Sequence, residues 1–504
     1  MEIIFRSVRD SAMSAFSFQR TCAGSVRERS LGPRAGCRPS IAFAATMCYA
    51  ATLLSNSCGA EPDHSGIRFL GSVSCAATAC HGGSGEERRT GGEYGIWLQR
   101  DPHARAQSIL LDRRSQQMGK LLGIAAVQNS ERCTGCHATD GPTVPEIDRS
   151  TLLSFGVGCE SCHGPAERWI EPHKRLEWNN PAVWSDEQKA ALGYRLTKDP
   201  LVRAETCAGC HIGGPGRDMN HDLIAAGHPR LSFEFSSYHA RLPKHWGRSE
   251  DLRRNSPVLE ARLWLVGQAA ALDTSLALLE ERARNQENPW PEFSEYACAK
   301  CHHQLAASPK RARDATISSA YTWNSWHQAL APFLSESLEL LEPGHSEQLR
   351  SSLAALRNEM ELLEPSRTVV QERIAVVRTT LRTLTREGRD YPYDVPQVRQ
   401  LSLRLAREGK SLIARDWDSS AQLFLGLSAM HYAEAEATGQ YGALKSPYRA
   451  EMTTALKTMQ RQLGTRDGIA ARQLGTEGFK DRVFKDLSRS LSDVEILLSQ
   501  PDRK

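Results

Sequence analysis

The chain has 504 residues, of which 40% are hydrophobic and 24% are charged, and its formal net charge is +4. Residues 1–60 contain seven arginines, no lysine and three acidic residues, so they carry this whole excess and the rest is neutral. A neutral chain lacks the basic field on which nucleic-acid binding depends, so we expect no nucleic-acid partner. The length allows two or three domains.

Residues 1–60 are predicted to be a signal peptide or export leader. A short apolar stretch at residues 41–54 follows the arginines, and Gly59 and Ala60 are small residues that signal peptidase reads. We therefore expect cleavage after Ala60, with lipid attachment at Cys58 as the alternative. The apolar stretch is too short to span a bilayer. The leader predicts a periplasmic or otherwise extracytoplasmic protein.

Five times the chain repeats two cysteines followed directly by a histidine, with four residues between the cysteines of the first motif and two in the others. Two neighbouring thiols can add to the vinyl groups of one porphyrin, and the next histidine then binds the iron. Structural zinc sites would use the cysteines but leave the five histidines unexplained. We therefore predict five covalently attached haem c groups. In chain order the motifs are Cys75…Cys80-His81, Cys133…Cys136-His137, Cys159…Cys162-His163, Cys207…Cys210-His211 and Cys298…Cys301-His302.

The composition divides the mature chain at about residue 330, and both parts are predicted to be mostly α. Residues 61–330 carry all the motifs with many glycines and prolines, so we predict a multihaem cytochrome c domain of loops and short helices. One long helix is predicted from Leu259 to Leu279. Residues 331–504 lack cysteine and are predicted to form a helical bundle, with a coiled-coil partner site as the alternative. The apolar stripes run from Leu349 to Leu363, Val370 to Leu384, Met452 to Leu463 and Phe479 to Leu498.

The sixth ligand of each iron decides what a haem can do. An iron between two histidines shuttles electrons, whereas an open iron can bind a small molecule. Eleven histidines lie outside the motifs, and three of them fall near the predicted cleavage site or on bundle helices. The histidines that rank below the best candidates are His239, His245 and His303. The predicted distal ligands are His103, His173, His221, His228 and His327.

Two strings beside these motifs resemble a known family. The third motif reads Gly156-Val-Gly-Cys-Glu-Ser-Cys-His-Gly-Pro-Ala, and the first is followed by Pro102-His-Ala-Arg-Ala. Together with the order of the first four motifs, these strings are similar to the cytochrome c-554 family over about residues 70–215. That family is related to the multihaem hydroxylamine oxidoreductases and the pentahaem nitrite reductases. The resemblance implies a helical periplasmic electron carrier with stacked haems, in which His103 and His173 are distal ligands. It also implies that the haem of the second motif can lack a sixth protein ligand, although the fifth motif, the wide first motif and the bundle depart from the family.

We predict an exported cytochrome that passes single electrons through five haems. Its expected redox partners are a quinol-linked donor and a periplasmic acceptor protein. One possible arrangement is a membrane-associated complex with these partners. The alternative is an oxidoreductase that acts on a small nitrogen or sulfur compound at one open haem. Nitrite reductases of the pentahaem type use a motif ending in lysine at the catalytic iron, whereas all five motifs here end in histidine. This difference favours the carrier. A haem-based sensor, or a subunit whose bundle docks a partner, is a third hypothesis.

Overall fold

The computed structural model describes most of the chain from residue 66 onward. The leader with its cleavage and lipidation sites, and the fifth motif at Cys298–His302, lie outside the described residues. The described part consists of helices and loops without a strand, so the predicted mostly-α class is confirmed. None of its helices is both long and apolar enough to cross a bilayer. The described residues are 66–83, 91–139, 149–246, 258–297, 323–331, 334, 345–388, 393–438, 447–464 and 477–500.

Short helices, joined by single 3-10 turns, make up the stretch that carries the first four motifs. The Asp112 carboxylate accepts the N–H of Ser115 at 2.7 Å at the start of one helix. Ser185 and Gln188 form a reciprocal capping box at another. Such caps favour short helices because they satisfy N–H groups that have no partner within the helix. The helices are α1 (Glu93–Arg100), α2 (Arg113–Leu121), α3 (Glu131–His137), α4 (Arg149–Ser154), α5 (Cys159–His163), α6 (Asp186–Ala191), α7 (Pro200–His211), α8 (His221–Ala226) and α9 (Phe235–Arg241).

One long helix, α10 (Leu259–Arg284), is buried on nearly all of its sides. One side, which includes Leu263, packs with Phe233 and Phe235 in a core next to the fourth motif. The other side, which includes Trp264, belongs to the core of the C-terminal helices. The predicted long helix is therefore present, and it is shared by the cytochrome part and the bundle.

The C-terminal helices pack around one apolar core. The first stripe is buried at Leu349, Leu353, Leu356 and Met360, whereas Leu363 lies beyond the helix end and is exposed. Two further long helices, not predicted from the sequence, complete the bundle. The helices are α11 (Ser325–Gln328), α12 (His345–Met360), α13 (Arg367–Gly388), α14 (Val395–Arg415), α15 (Trp417–Ala437), α16 (Pro447–Leu463) and α17 (Glu477–Ser499).

A buried arginine links the segments that lie on both sides of the fifth motif. The Arg282 guanidinium, near the end of α10, donates to Asp218 at 2.5 Å and to Glu295 at 2.6 Å. The second oxygen of Glu295 accepts the indole N–H of Trp323 at 2.9 Å. Because a buried charge without its partner costs several kcal/mol, about 3–5, this network fixes the chain on both sides of the fifth motif.

Candidate haem-binding site

Three of the four described motifs end a helix, since α3 ends at His137, α5 at His163 and α7 at His211. In a helix, residues three apart lie on the same side, so both thiols of each motif project together and the histidine follows in the same turn. The wider first motif instead begins in the 3-10 turn Ser72–Cys75 and continues as an irregular turn. All eight cysteines of these motifs are free thiols and therefore available for attachment.

Each described motif histidine faces a second histidine from elsewhere in the chain. An imidazole nitrogen lies about 2 Å from a bound metal, so two imidazoles on opposite sides of one haem iron have ring centres about 6 Å apart. The observed separations match this value, so these residues fit a haem with two axial histidines. The pairs are His81 with His173 (6.4 Å), His137 with His228 (6.3 Å), His163 with His245 (6.3 Å) and His211 with His103 (6.0 Å).

Burial keeps two of the motif histidines, His163 and His211, in the neutral form that binds iron. It lowers the pKa of His163 and of His211 to about 4 each, so both rings are neutral at physiological pH. A haem iron takes two ligands from the protein because the porphyrin supplies the other four. Accordingly, no group of three or more His, Cys, Asp or Glu side chains gathers into a metal site of its own within the described ranges.

Three of the five predicted distal ligands, His103, His173 and His228, lie opposite a motif histidine. The remaining motif histidine, His163 of the third motif, is paired with His245, which the sequence analysis ranks lower. His245 follows its partner, His163, by a long stretch of chain, so no local spacing points to it. Its one local signal is the adjacent Trp246, whose ring lies 5.2 Å from the imidazole.

His221 and His327 are not members of the four pairs. The ring of His221, at the start of α8, lies 5.9 Å from Phe293, which precedes the fifth motif. His327 is partly buried, and this burial lowers its pKa to about 3; its Nδ1 has no hydrogen-bond partner among the described residues. Their role as ligands stays a prediction. By contrast, Nε2 of His239 accepts a hydrogen bond from Arg203 at 2.8 Å, so this nitrogen is already occupied.

In five of the eight paired histidines, Nδ1 is hydrogen-bonded to a carboxylate or to a backbone carbonyl. The Nδ1 of His103 donates to the buried carboxylate of Asp101 at 2.9 Å, and the Nδ1 of His81 donates to Glu93 at 3.2 Å. Burial alone would lower the pKa of His103, but the hydrogen bond and the charge of Asp101 raise it above its ordinary value. The Nδ1 atoms of the others that hold a backbone acceptor bind Ala106 (from His137), Pro229 (from His228) and Ile170 (from His173).

Contacts between the motif segments show which motifs are neighbours in space. The turn of the first motif contacts the helix of the third, where the N–H of Cys159 donates to the hydroxyl of Ser72 at 3.2 Å. The helix of the second motif contacts that of the fourth, where the Cys210 thiol lies 3.9 Å from the carbonyl oxygen of Gly135. The helices of the third and fourth motifs also contact each other. The spatial order of the four described motifs is therefore first, third, fourth, second.

The acidic residue inside the third motif, Glu160, is a structural clamp that the sequence analysis does not anticipate. Its buried carboxylate accepts the N–H groups of Leu70 at 2.9 Å, Gly71 at 2.6 Å and Ala166 at 2.7 Å. Burial raises the pKa of Glu160, and these three donors oppose that shift. The clamp holds the chain that leads into the first motif against the third, and Gly164 (φ 82°) allows the sharp turn after it.

Replacing Glu160 with alanine would remove the acceptor for three backbone N–H groups. Each buried N–H left without a partner costs about 1–3 kcal/mol, so we expect the free energy of unfolding to fall by about 3 kcal/mol. Denaturant unfolding of the haem-loaded protein, followed by circular dichroism, measures this. The control is Glu171→Ala, which breaks an exposed ion pair with Lys174 and is expected to change stability little. Equal losses in the two variants would contradict the clamp.

Residues 71–164 match the family model described as cytochrome c554 and c-prime. No curated protein and no solved structure matches the chain. The matched segment holds the first three motifs, the predicted distal ligand His103 and the clamp Glu160. It confirms the resemblance over a shorter range than the sequence strings suggest. The segment that carries these motifs therefore belongs to the cytochrome c554 family of c-type cytochromes.

Proposed function

We propose that the protein is an exported carrier that passes single electrons through five covalently attached haems. The four histidine pairs at 6.0 to 6.4 Å support this most directly. An iron with an imidazole on each face has no position for a substrate, and it changes between ferric and ferrous states without losing a ligand. The chain's own part is to hold the irons close together, exclude water and set their potentials.

The second motif is where this proposal departs from what the family resemblance implies. In the family the corresponding haem can lack a sixth protein ligand and could therefore bind a small molecule. Here the ring of His228 lies 6.3 Å from that of His137, at the separation expected for two ligands of one iron. We therefore favour the carrier over an oxidoreductase acting on a small nitrogen or sulfur compound.

The haem of the fifth motif is proposed from the sequence. Two of the predicted ligands, His221 and His327, are left over after the four pairs are formed. His221 is in ring contact with Phe293, which lies a few residues before the fifth motif, so His221 is the better placed of the two candidates in space. Both remain candidates for the sixth ligand of that iron.

The spatial order of the four described motifs supports a proposal for where the redox partners bind. The first and second motifs are the outer two of these four, and we propose that a quinol-linked donor and a periplasmic acceptor bind beside them, one at each. Members of the cytochrome c554 family are typically extracytoplasmic. The proposed leader at residues 1–60 agrees with such a location, and it leaves lipid anchoring at Cys58 as an alternative to release.

Spin-state spectroscopy of the purified haem-loaded protein tests the proposed function. We expect low-spin iron throughout and no binding of cyanide or nitric oxide. Perpendicular imidazole planes give a highly anisotropic low-spin resonance and parallel planes a rhombic one. The angles between the two imidazole planes are 84°, 77° and 74° in the pairs of the second, third and fourth motifs, so these pairs should give the highly anisotropic signal. The angle in the pair of the first motif is 10°, so this pair should give the rhombic signal.

The pyridine haemochrome method and intact mass measure the number of haems per chain in the same sample, with five expected. One high-spin haem per chain that binds cyanide would overturn the carrier and favour the oxidoreductase. A polypeptide without added porphyrin would overturn both functions.

A further inference from the structure

We propose that the surface around helix α2 docks an acidic electron-transfer protein, a proposal that rests on the electron-transfer function proposed above. The surface is called the α2 face. It consists of the exposed side chains of Arg105, Ile109, Leu111, Arg113, Lys120 and Leu121.

The α2 face carries three exposed aliphatic side chains. Ile109 is 49% exposed, Leu111 57% and Leu121 63%. The turn that carries the first two packs against α2, where the hydroxyl of Ser115 donates to the carbonyl oxygen of Ile109 at 2.7 Å. Exposed aliphatic side chains on adjoining ordered elements indicate an interaction site.

The rim of the α2 face is positively charged. Arg105, Arg113 and Lys120 are exposed, and none of them forms an ion pair within the described ranges. The acidic residue within this stretch, Asp112, is engaged as the cap of α2 through the N–H of Ser115. The cations of this stretch outnumber its one carboxylate, so the rim keeps a net positive charge.

The α2 face lies beside the histidine pair of the second motif, one of the outer two of the four described motifs. The Arg114 guanidinium of α2 donates to the carbonyl oxygen of Gly227, the residue before His228. In the stretch that precedes α2, the carbonyl oxygen of Ala106 accepts from Nδ1 of His137 at 3.1 Å. A protein docked on this face would stand next to both histidines of this pair, which are the proposed ligands of the second motif's iron.

The chemistry of the α2 face selects its partner. Electron-transfer encounters bury little area and are short-lived, so they depend on charge steering around a small apolar contact. A cationic rim around exposed leucines fits a redox protein that carries carboxylates around its own exposed centre. A second copy of this chain would present the same positive charge and would be repelled.

Stopped-flow electron transfer from a reduced plant-type [2Fe–2S] ferredoxin, an acidic low-potential donor, tests the proposal with the haem-loaded protein. The test variant is Arg113→Glu with Lys120→Glu. The control variant, Lys457→Glu with Arg461→Glu, makes the same change in net charge at exposed positions on α16. We expect the second-order rate constant at low salt to fall about tenfold or more in the test variant and little in the control.

The wild-type rate should also fall with ionic strength, and this dependence should weaken in the test variant. Reduction by uncharged reduced lumiflavin should proceed equally in all three proteins, which shows that the haems themselves are unchanged. A test variant as fast as the wild type, or an equal loss in the control, would overturn the α2 face as a docking site. So would a dimer, or binding to anionic lipid vesicles, that the test variant abolishes. The spin-state spectrum tests the proposed electron-transfer function independently of this docking site.

Discussion

Replacing His228 with alanine is expected to convert one haem per chain, that of the second motif, from low spin to high spin. The rings of His137 and His228 have centres 6.3 Å apart, so removing the second leaves one face of that iron without a protein ligand. Electron paramagnetic resonance and the absorption spectrum of the ferric protein measure the change. The opened iron should bind cyanide, and added imidazole should restore the low-spin signal.

The control for this variant is His431→Gln, at a histidine on α15 whose Nε2 bonds to the hydroxyl of Thr453, away from the motif pairs. It should leave every haem low spin. If His228→Ala gives the spectrum of the wild type, His228 is not an iron ligand. A wild-type spectrum that already contains one high-spin haem, unchanged by the substitution, would instead return the second motif to the open state known in the family.

Replacing Asp101 with asparagine is expected to raise the reduction potential of the haem held between His103 and His211. The Asp101 side chain is only 5% exposed and accepts the Nδ1 hydrogen of His103 at 2.9 Å. A carboxylate in this position makes the imidazole a stronger donor to iron and so stabilises the ferric state. Its loss should shift the potential upward by about 60 mV, a tenfold change in a one-electron equilibrium. Potentiometric titration followed by absorption measures the shift.

Asparagine is a suitable replacement because it still caps the 3-10 turn that begins after Asp101. The matched control is Glu93→Gln, which removes the corresponding carboxylate from His81 of the first motif. The Glu93 side chain is 20% exposed, and its distance to His81 is longer, 3.2 Å, so a smaller upward shift is expected there. Unchanged potentials in Asp101→Asn, with all haems still low spin, would show that this carboxylate does not tune the iron.

The sequence predicts well those features that local spacing determines. In the second, third and fourth motifs the thiol pair and its histidine lie within about one helical turn, so these motifs can be read directly from the sequence. The helices with a regular apolar period, such as α12 and α16, are predicted for the same reason. The stripe of α14, with Val398, Leu401 and Leu405 buried, is of this kind and could have been recognised.

The features that the sequence does not predict depend on long-range packing. His245 meets His163 only because the fold returns the chain to the third motif, and no spacing encodes that return. Helix α15 is buried all round, including Ser419, Ser420 and Gln422, so its apolar residues show no helical period. Glu160 resembles an ordinary exposed acid in sequence, and only the surrounding N–H groups show its role as a clamp.

The interleaved order of the motifs also bears on how the protein is made. The first motif contacts the third and the second contacts the fourth, so with the proposed export each porphyrin of the first two motifs would acquire its neighbour only after much more polypeptide has been translocated. An early collapse would bury the first two thiol pairs before the later porphyrins arrive. We expect the nascent chain to stay extended until the fourth porphyrin is attached, which keeps every thiol pair within reach of the ligation machinery.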